Sequence, residues 1–415
     1  MIKGRDIIVT SLQSWDIEIG SNCKNIALEF ARNNRVLYVN SPLDRATLWR
    51  KRKDPRFRKR IDILKGRSDD LEKIGDNLWT LYPRTLLESI GRIPWNWLFD
   101  RGNKINNRRF ARQIQSATDR LQFKDPILFN DSNMFRGFYL RELIRPQLYV
   151  YYSRDNLLAI DFWKRHGKRI EPALMRKSDL VISNSTYLAD MARRYNPGST
   201  YVGQGCDLSA YDKTRITTVP QDIASIPLPV IGYTGVLFNL RLDIDIIRYL
   251  AQEHPKWNIV LIGPEDNDFR ESDLHSLKNV HFLGNKSPDQ LPEYVSRFDV
   301  AINPQKLNEL TIGNYPRKVD EYLAMGKPVV ALKTEAMSVF AGHTYLATNK
   351  VEFGQGIEKA LFENTPELET RREVFARDHS WENNVKEIYR AMEMVMGNRQ
   401  TLHGIPKQKN KQQTN

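Results

Sequence analysis

Cysteine is nearly absent from this chain. Its 415 residues include only two, Cys23 and Cys206, far apart and flanked by no metal-ligand pattern. That excludes a disulfide framework and fits a reducing compartment. Long apolar runs are missing too: no stretch approaches the ~20 residues that a membrane-spanning helix requires. The N-terminal ten residues lead straight into a strand-like segment, without the apolar core of a secretory leader. The seven histidines show no ligand spacing, and His343, in a loop after Gly342, reads as structural. Asp266-Asn267-Asp268 imitates a metal-binding pair of aspartates but reads as a turn. Gly232 and Gly235 fall short of the full dinucleotide fingerprint, which disfavours a nicotinamide cofactor. The expectation is a cytoplasmic protein, soluble or peripheral to the inner face of a membrane, with no metal and no resident cofactor.

What the chain has in excess is positive charge, a net +13. Much of it falls early, in Arg45, Arg50, Lys51, Arg52, Lys53, Arg56, Arg58, Lys59, Arg60, Lys65 and Arg67, opposed locally by Asp54 and Asp62. Leu48, Trp49 and Phe57 are interleaved. A second mixed patch holds Trp95 and Trp97 close to Arg101, Lys104, Arg108, Arg109 and Arg112. Cations beside Trp and Phe suit an anionic membrane surface, where each nearby Lys or Arg contributes about 1 kcal/mol and the rings insert at headgroup depth. Arg50, Lys51, Arg52, Trp95 and Trp97 are therefore singled out for membrane or acceptor contact. Nucleic acid would leave the same electrostatic footprint. No zinc-finger spacing, RNA-recognition signature or heptad zipper accompanies it, so no nucleic-acid partner is expected. A solvated basic face is the plain alternative.

A chain this long exceeds the usual reach of one hydrophobic core, so two domains are expected. In the first half, strand signals at 6–12, 35–40, 126–130, 147–152 and 180–184 alternate with helix signals at 23–33, 170–177 and 186–195. That alternation predicts a mostly parallel, doubly wound sheet. A Pro- and Thr-rich linker occupies 213–229. The alternation restarts with strands at 230–233, 257–262, 280–283 and 300–303 and helices at 243–254 and 288–298. The expected division is 1–212 for a first Rossmann-like domain and 230–378 for a second. A terminal helix over 379–396 returns to the first domain, and 397–415 forms a polar, disordered tail. Two such sheets in tandem place their ligand in a cleft at the C-terminal ends of the strands.

The most informative stretch runs from 307 to 330: a polar loop, a short helix and a buried strand. Pro316 suits a first helical position, Gly326 ends the helix, and Pro328 follows. A helix opening at a loop containing Thr311, Gly313 and Asn314 aims unpaired amides, and the positive end of its dipole, at whatever lies in front. Lys318 and Glu321 share one helix face. A cation for phosphates beside a carboxylate able to grip two sugar hydroxyls suits a nucleotide-sugar. An ordinary surface ion pair is the alternative.

The order and spacing of several segments then resemble the donor-binding domain of GT-B glycosyltransferases. They are Val230-Ile231-Gly232-Tyr233-Thr234-Gly235-Val236, Leu261-Ile262-Gly263-Pro264, Val280-His281-Phe282-Leu283-Gly284, and Phe298-Asp299-Val300-Ala301-Ile302-Asn303-Pro304. The run from Glu321 through Gly326 to Val330 completes the set, and His379-Ser380-Trp381 is similar to the close of that domain. Trp15-Asp16, Tyr152-Ser153-Arg154-Asp155 and Ser178 to Ser185 match more loosely. The nearest type is that of teichuronic-acid and xanthan glucuronosyltransferase-like polysaccharide enzymes. The resemblance implies an α/β GT-B fold, with two Rossmann-like doubly wound parallel-sheet domains facing a central cleft. It places Glu321 at the ribose and Lys318 at the diphosphate. Gly235, Val236 and Arg241 would lie near the phosphates, and Gly263 and Pro264 along the base pocket. Retaining members carry paired glutamates eight positions apart; here the earlier position is Gly313, with Glu309 as a substitute. In the xanthan-type enzymes an aspartate in the context of Asp155 is the base of an inverting displacement; a helix cap is its plain alternative. Asp16 is the rival base.

The expected activity is transfer of a sugar from a nucleoside-diphosphate donor, UDP-linked, to a lipid-linked glycan acceptor at a membrane surface. A nucleotide-sugar epimerase on the same fold, or a non-catalytic membrane or nucleic-acid binding module, are the alternatives.

Overall fold

A computed structural model describes residues 1–16 and 21–403. Two sheets of strands organise them. In the front lobe, β1 (Asp6–Ser11), β2 (Arg35–Val39), β3 (Leu71–Gly75), β4 (Leu78–Leu81), β5 (Ile127–Asp131), β6 (Leu148–Ser153), β7 (Leu180–Ser183) and β8 (Thr200–Tyr201) run in the order β3-β4-β2-β1-β5-β6-β7-β8. Only the β3–β4 pair is antiparallel. In the rear lobe, β9 (Val230–Thr234), β10 (Asn258–Ile262), β11 (Val280–Gly284), β12 (Val300–Asn303), β13 (Val329–Leu332) and β14 (Tyr345–Ala347) form an all-parallel sheet ordered β11-β10-β9-β12-β13-β14. β1 sits centrally, Ile7 opposite Val36 on one side and Ile127 on the other. Its residues are all buried, as a strand covered on both faces requires.

Each sheet is sandwiched. Phe30, Phe129, Tyr152 and Ile182 build the core on one face of the front sheet, and the last helix, Trp381–His403, crosses over from the rear lobe to complete it with Trp381, Ile388 and Met392. The Asn34 amide donates to the Tyr389 hydroxyl at 2.9 Å across that junction. On the opposite face, Phe110 and Ile114 of the helix Asn96–Arg120 pack against Leu37, Leu128 and Tyr149. This fold is the one the alternation predicts.

Several elements differ from their sequence-based outlines. The helix Asn96–Arg120 reads in sequence as a basic aromatic patch, because its buried stripe includes Asn103, Asn106 and Asn107, which break the apolar period. The helix Asp161–Lys177 starts well before residue 170; its first turns are rich in charged and polar residues, which hides the apolar period there. β3, β4, β14 and the helix Lys350–Glu363 were not foreseen. The terminal helix continues past 396 to His403, so 397–403 is helical; the remainder of the expected tail lies outside the described residues.

The lobes touch at named points. Cys206 N–H donates to His379 O at 2.8 Å. Asn156 Nδ2 donates to Glu309 O, also at 2.8 Å. Gly313 lies against Tyr187 so closely that an added Cβ would stand 2.8 Å from the Tyr187 ring. A side chain at 313 would require Tyr187 to shift, and glycine there leaves the first carboxylate of the retaining pattern absent from that position.

Candidate active site

The helix Arg317–Ala324 forms one wall of the gap between lobes. Pro316 occupies its cap, one position earlier than expected, and Gly326, at φ +71°, turns the chain out of it. Val319 N–H closes onto Pro316 O at 2.9 Å, so the amides of Arg317 and Lys318 precede the first intrahelical bond. Val319, Tyr322 and Leu323 enter the rear core, while Lys318 and Glu321 line the cleft. Asp320, fully buried, fastens the helix from behind. Its carboxylate pairs with His379 Nδ1 at 2.6 Å and accepts from Cys206 Sγ of the front lobe at 3.2 Å.

The cleft encloses about 670 Å³, within the range of small-ligand sites. Asp155, Gly235, Val236, Arg241, Thr311, Lys318 and Glu321 all line it. The Lys318 ammonium lies 3.9 Å from the centre of the Tyr233 ring and donates to the Tyr233 hydroxyl. Burial pushes its pKa down to about 7, helped by Arg241 and opposed by Glu321. Glu321 accepts from the Tyr211 hydroxyl at 3.1 Å, and burial raises its pKa. Lys318 therefore sheds its proton as pH rises through about 7, and a phosphate beside it is expected to draw the proton back. UDP affinity is expected to be flat below that pH and to fall above it by up to about tenfold per unit. Calorimetry across pH 6 to 9 checks this; the same slope in Lys318→Met would contradict it.

Gly235 and Gly263 have separate tasks. A Cβ on Gly235, at φ +131°, would stand 2.7 Å from Lys318 Nζ, so glycine keeps the ammonium's place open. A Cβ on Gly263 would meet Gly235 O at 1.9 Å. Gly263 and Pro264 thus lie behind the Gly235 loop, with Pro264 O accepting from Leu237 N–H at 2.9 Å, and neither lines the cavity. What the structure shows of them is contact with that loop. Arg248, a nearby cation, is held by Asp273 at 2.8 Å and by Asp245, outside the cavity.

Across the gap, Asp155 follows β6. Its carboxylate caps no helix: the short turn Leu157–Ala159 has Asn156 as its cap, without a side-chain bond. Arg154 Nη1 donates to Asp155 Oδ2 at 2.9 Å, and Arg154 Nε donates to the buried Asp131 Oδ1 at 2.7 Å. Burial works against the guanidinium, but Asp131 and Asp155 raise its pKa and hold it charged. Asp155 lines the cleft, and its Oδ1 has no hydrogen-bond partner among the described residues. Asp16, the rival base, does not line it; its Oδ1 accepts from Arg60 at 2.6 Å. Glu309 is also displaced. Its exposed carboxylate stands 3.5 Å from Lys164 at the outer rim, where the loop is tied to Asn156. Thr311 is buried, and its hydroxyl donates to Lys306 O, shaping the loop.

Sequence reasoning missed Tyr233, Tyr211 and Arg317, and a row of front-lobe polar groups. Gln13 Oε1, Ser21 Oγ and Asn184 Oδ1 are buried atoms of cleft-lining residues with no partner among the described residues. Such groups suit a hydroxyl-rich ligand. The signal was their shared position just beyond the C-terminal ends of β1 and β7 and at the start of the first helix.

The basic region is more nearly neutralised than its local sequence suggests. Arg56 pairs with Asp54, Lys59 with Glu72, Arg60 with Asp16 and Arg45 with Glu88, at 2.8, 2.8, 2.6 and 2.7 Å. Lys51 lies 3.6 Å from Asp54, whereas Arg50 and Arg52 face no carboxylate within ion-pair distance among the described residues. Trp49, Trp95 and Trp97 are 70%, 61% and 67% exposed. None of these residues lines the cleft.

Two facing doubly wound lobes, with a cation and a carboxylate on a helix of the rear one, define the GT-B class. Residues 229–363 match the family model Glycosyl transferases group 1. A Bacillus subtilis (strain 168) protein, provisionally named teichuronic acid biosynthesis glycosyltransferase TuaH, is 26% identical over 241 residues. The match spans 55% of this chain and 60% of that relative's length. The alpha,alpha-trehalose 6-phosphate synthase of Burkholderia multivorans shares the fold at a TM-score of 0.65 and 9% identity, over 98% of this chain and 100% of its own. Anabaena HepE, solved with UDP, does so at 0.56 and 15%, over 97% and 100%. The chain has the GT-B fold, and within its rear lobe residues 229–363 are similar to the group 1 glycosyl transferases.

Proposed function

We propose that this protein transfers a sugar from a UDP-linked donor to a lipid-linked glycan acceptor in cell-surface polysaccharide biosynthesis, with inversion. One observation carries the reading: an aspartate with a free carboxylate oxygen shares a 670 Å³ cleft with the Lys318–Glu321 pair of the opposite lobe. The TuaH likeness and the UDP bound to HepE agree with it. Asp155 takes the proton of the acceptor hydroxyl as that oxygen bonds to the anomeric carbon. The bond from that carbon to the β-phosphate oxygen breaks, and UDP departs with the electron pair. Lys318, Arg241 and the first amides of the Arg317–Ala324 helix stabilise the charge on UDP, while Glu321 holds its ribose.

The test is a panel of UDP-sugars incubated with and without lipid-linked acceptors. UDP release that requires an acceptor supports transfer; conversion of the donor sugar with no acceptor present points to an epimerase. Neither process in any combination overturns the reading. Turnover is expected to survive chelation by EDTA, because protein cations neutralise the leaving group, and loss on chelation would contradict that.

The acceptor side sits at a membrane. Exposed Trp49, Trp95 and Trp97, with Arg50, Arg52 and Lys53, supply the surface. Replacing Arg50, Arg52 and Lys53 with glutamine is expected to weaken binding to phosphatidylglycerol vesicles by about tenfold or more, at about 1 kcal/mol per cation. Co-sedimentation checks it, and equal binding before and after would dismiss this surface.

A further inference from the structure

A second cavity, of about 440 Å³, opens in the front lobe outside the cleft. Its wall is amphipathic. Ile90, Phe135, Phe162 and Trp163 supply apolar surface, and Phe162 is exposed at the rim. Two buried amides among them are incompletely bonded. Among the described residues, both side-chain atoms of Asn133 and the Nδ2 of Asn103 lack partners, although these residues are 0% and 1% exposed. A buried amide left unpaired is destabilising, and a ligand that bonds to it removes that penalty.

Charge in the wall is unbalanced as well. Of its two acids, Glu88 is matched by Arg45 and Arg109, at 2.7 and 2.8 Å. Asp44 accepts from Ser89 at 2.6 Å and from the backbone of Thr47 at 3.0 Å. Its arginines are less closely matched, although the Asp44 carboxylate favours the charged form of Arg136. Arg136 has a 3.3 Å bond to Ser41 Oγ and Arg50 a 3.4 Å bond to Ala46 O, and among the described residues no carboxylate lies within ion-pair distance of Arg50, Arg92 or Arg136. Unpaired buried amides and arginines with no carboxylate in ion-pair distance, set beside apolar surface, suit an anionic group carrying a hydrocarbon chain. The cavity adjoins the proposed chemistry: Asp131, at the end of β5, anchors Arg154 beside Asp155, and Asn133 lies two residues further on.

We infer that this cavity binds the phosphate and first chain units of the acceptor's lipid, fixing the acceptor relative to Asp155. The inference rests on the transferase reading above. Farnesyl phosphate is the probe, measured by calorimetry against the full-length protein, with farnesol, inorganic phosphate and phosphatidylglycerol vesicles as comparison arms. Saturable binding of farnesyl phosphate is expected, weakened about tenfold or more by Ala46→Trp, which plugs the wall from an exposed helix position, and by Arg92→Gln. Asn133→Leu is expected to weaken it similarly while leaving the melting temperature equal or higher, since it removes unpaired buried polar atoms. Farnesol is expected to bind at least tenfold more weakly than farnesyl phosphate.

No saturable binding, equal affinity in Ala46→Trp, or farnesol as tight as farnesyl phosphate would each overturn the assignment. So would full displacement by phosphatidylglycerol vesicles, which would make a bulk membrane lipid the occupant, or by inorganic phosphate alone at matching concentration. A parallel UDP titration separates the two ideas. UDP binding without farnesyl phosphate binding sinks the cavity alone, whereas absent UDP binding sinks the transferase reading.

Discussion

Asp155→Asn is expected to lower turnover by about 10²–10⁴-fold, the contribution of a positioned general base. Asparagine keeps the size of the side chain and can still accept from Arg154, so the ion-paired strand end around Asp131 stays in place. What it loses is the ability of the free Oδ1 to take a proton. UDP affinity should stay within about twofold, because the residue stands on the lobe opposite Lys318 and Glu321. Initial rates of acceptor-dependent UDP release measure this. Turnover within about threefold of the parent would remove Asp155 from the chemistry, and Asp16 would not inherit the role, being held by Arg60 outside the cavity.

Glu321→Ala should have its effect on binding. Two hydrogen bonds from ribose hydroxyls to a carboxylate, at about 1.5 kcal/mol each, correspond to a loss on the order of 100-fold in UDP affinity. Part of any loss could come through Tyr211, whose hydroxyl donates to Glu321. Tyr211→Phe separates the two, and a drop of less than about tenfold is expected there. Titration calorimetry reads both variants; UDP bound as tightly by Glu321→Ala as by the parent would show that the pocket is misassigned.

Much of this architecture was legible because parallel strands buried on both faces write themselves as short apolar runs. Val300–Asn303 carries the bounds read from sequence, and the buried strand expected after Pro328 forms as Val329–Leu332. The Arg317–Ala324 helix was legible for a different reason: Pro316 and Gly326 punctuate it, and the three-residue spacing of Lys318 and Glu321 puts both on one face. Contacts between distant segments were not legible. Gly263 looks like a rim glycine until the Gly235 carbonyl is found pressed against it. Asp16 looks available until Arg60 reaches it, and Glu309 looks close to Glu321 until its loop carries it out to Lys164. The helix Asn96–Arg120 was hidden by asparagines whose side chains bond across to other loops, as Asn106 does with Glu88 and Asn107 with Phe135. Polar residues at core positions defeat a reading based on apolar period.

The most direct trial is a structure determined with UDP bound. The diphosphate should lie against Lys318 Nζ and the first turn of the Arg317–Ala324 helix, with the ribose hydroxyls on the Glu321 carboxylate. Density for the nucleotide elsewhere, leaving Lys318 on Tyr233 and Glu321 on Tyr211 as they stand now, would contradict the site at its root.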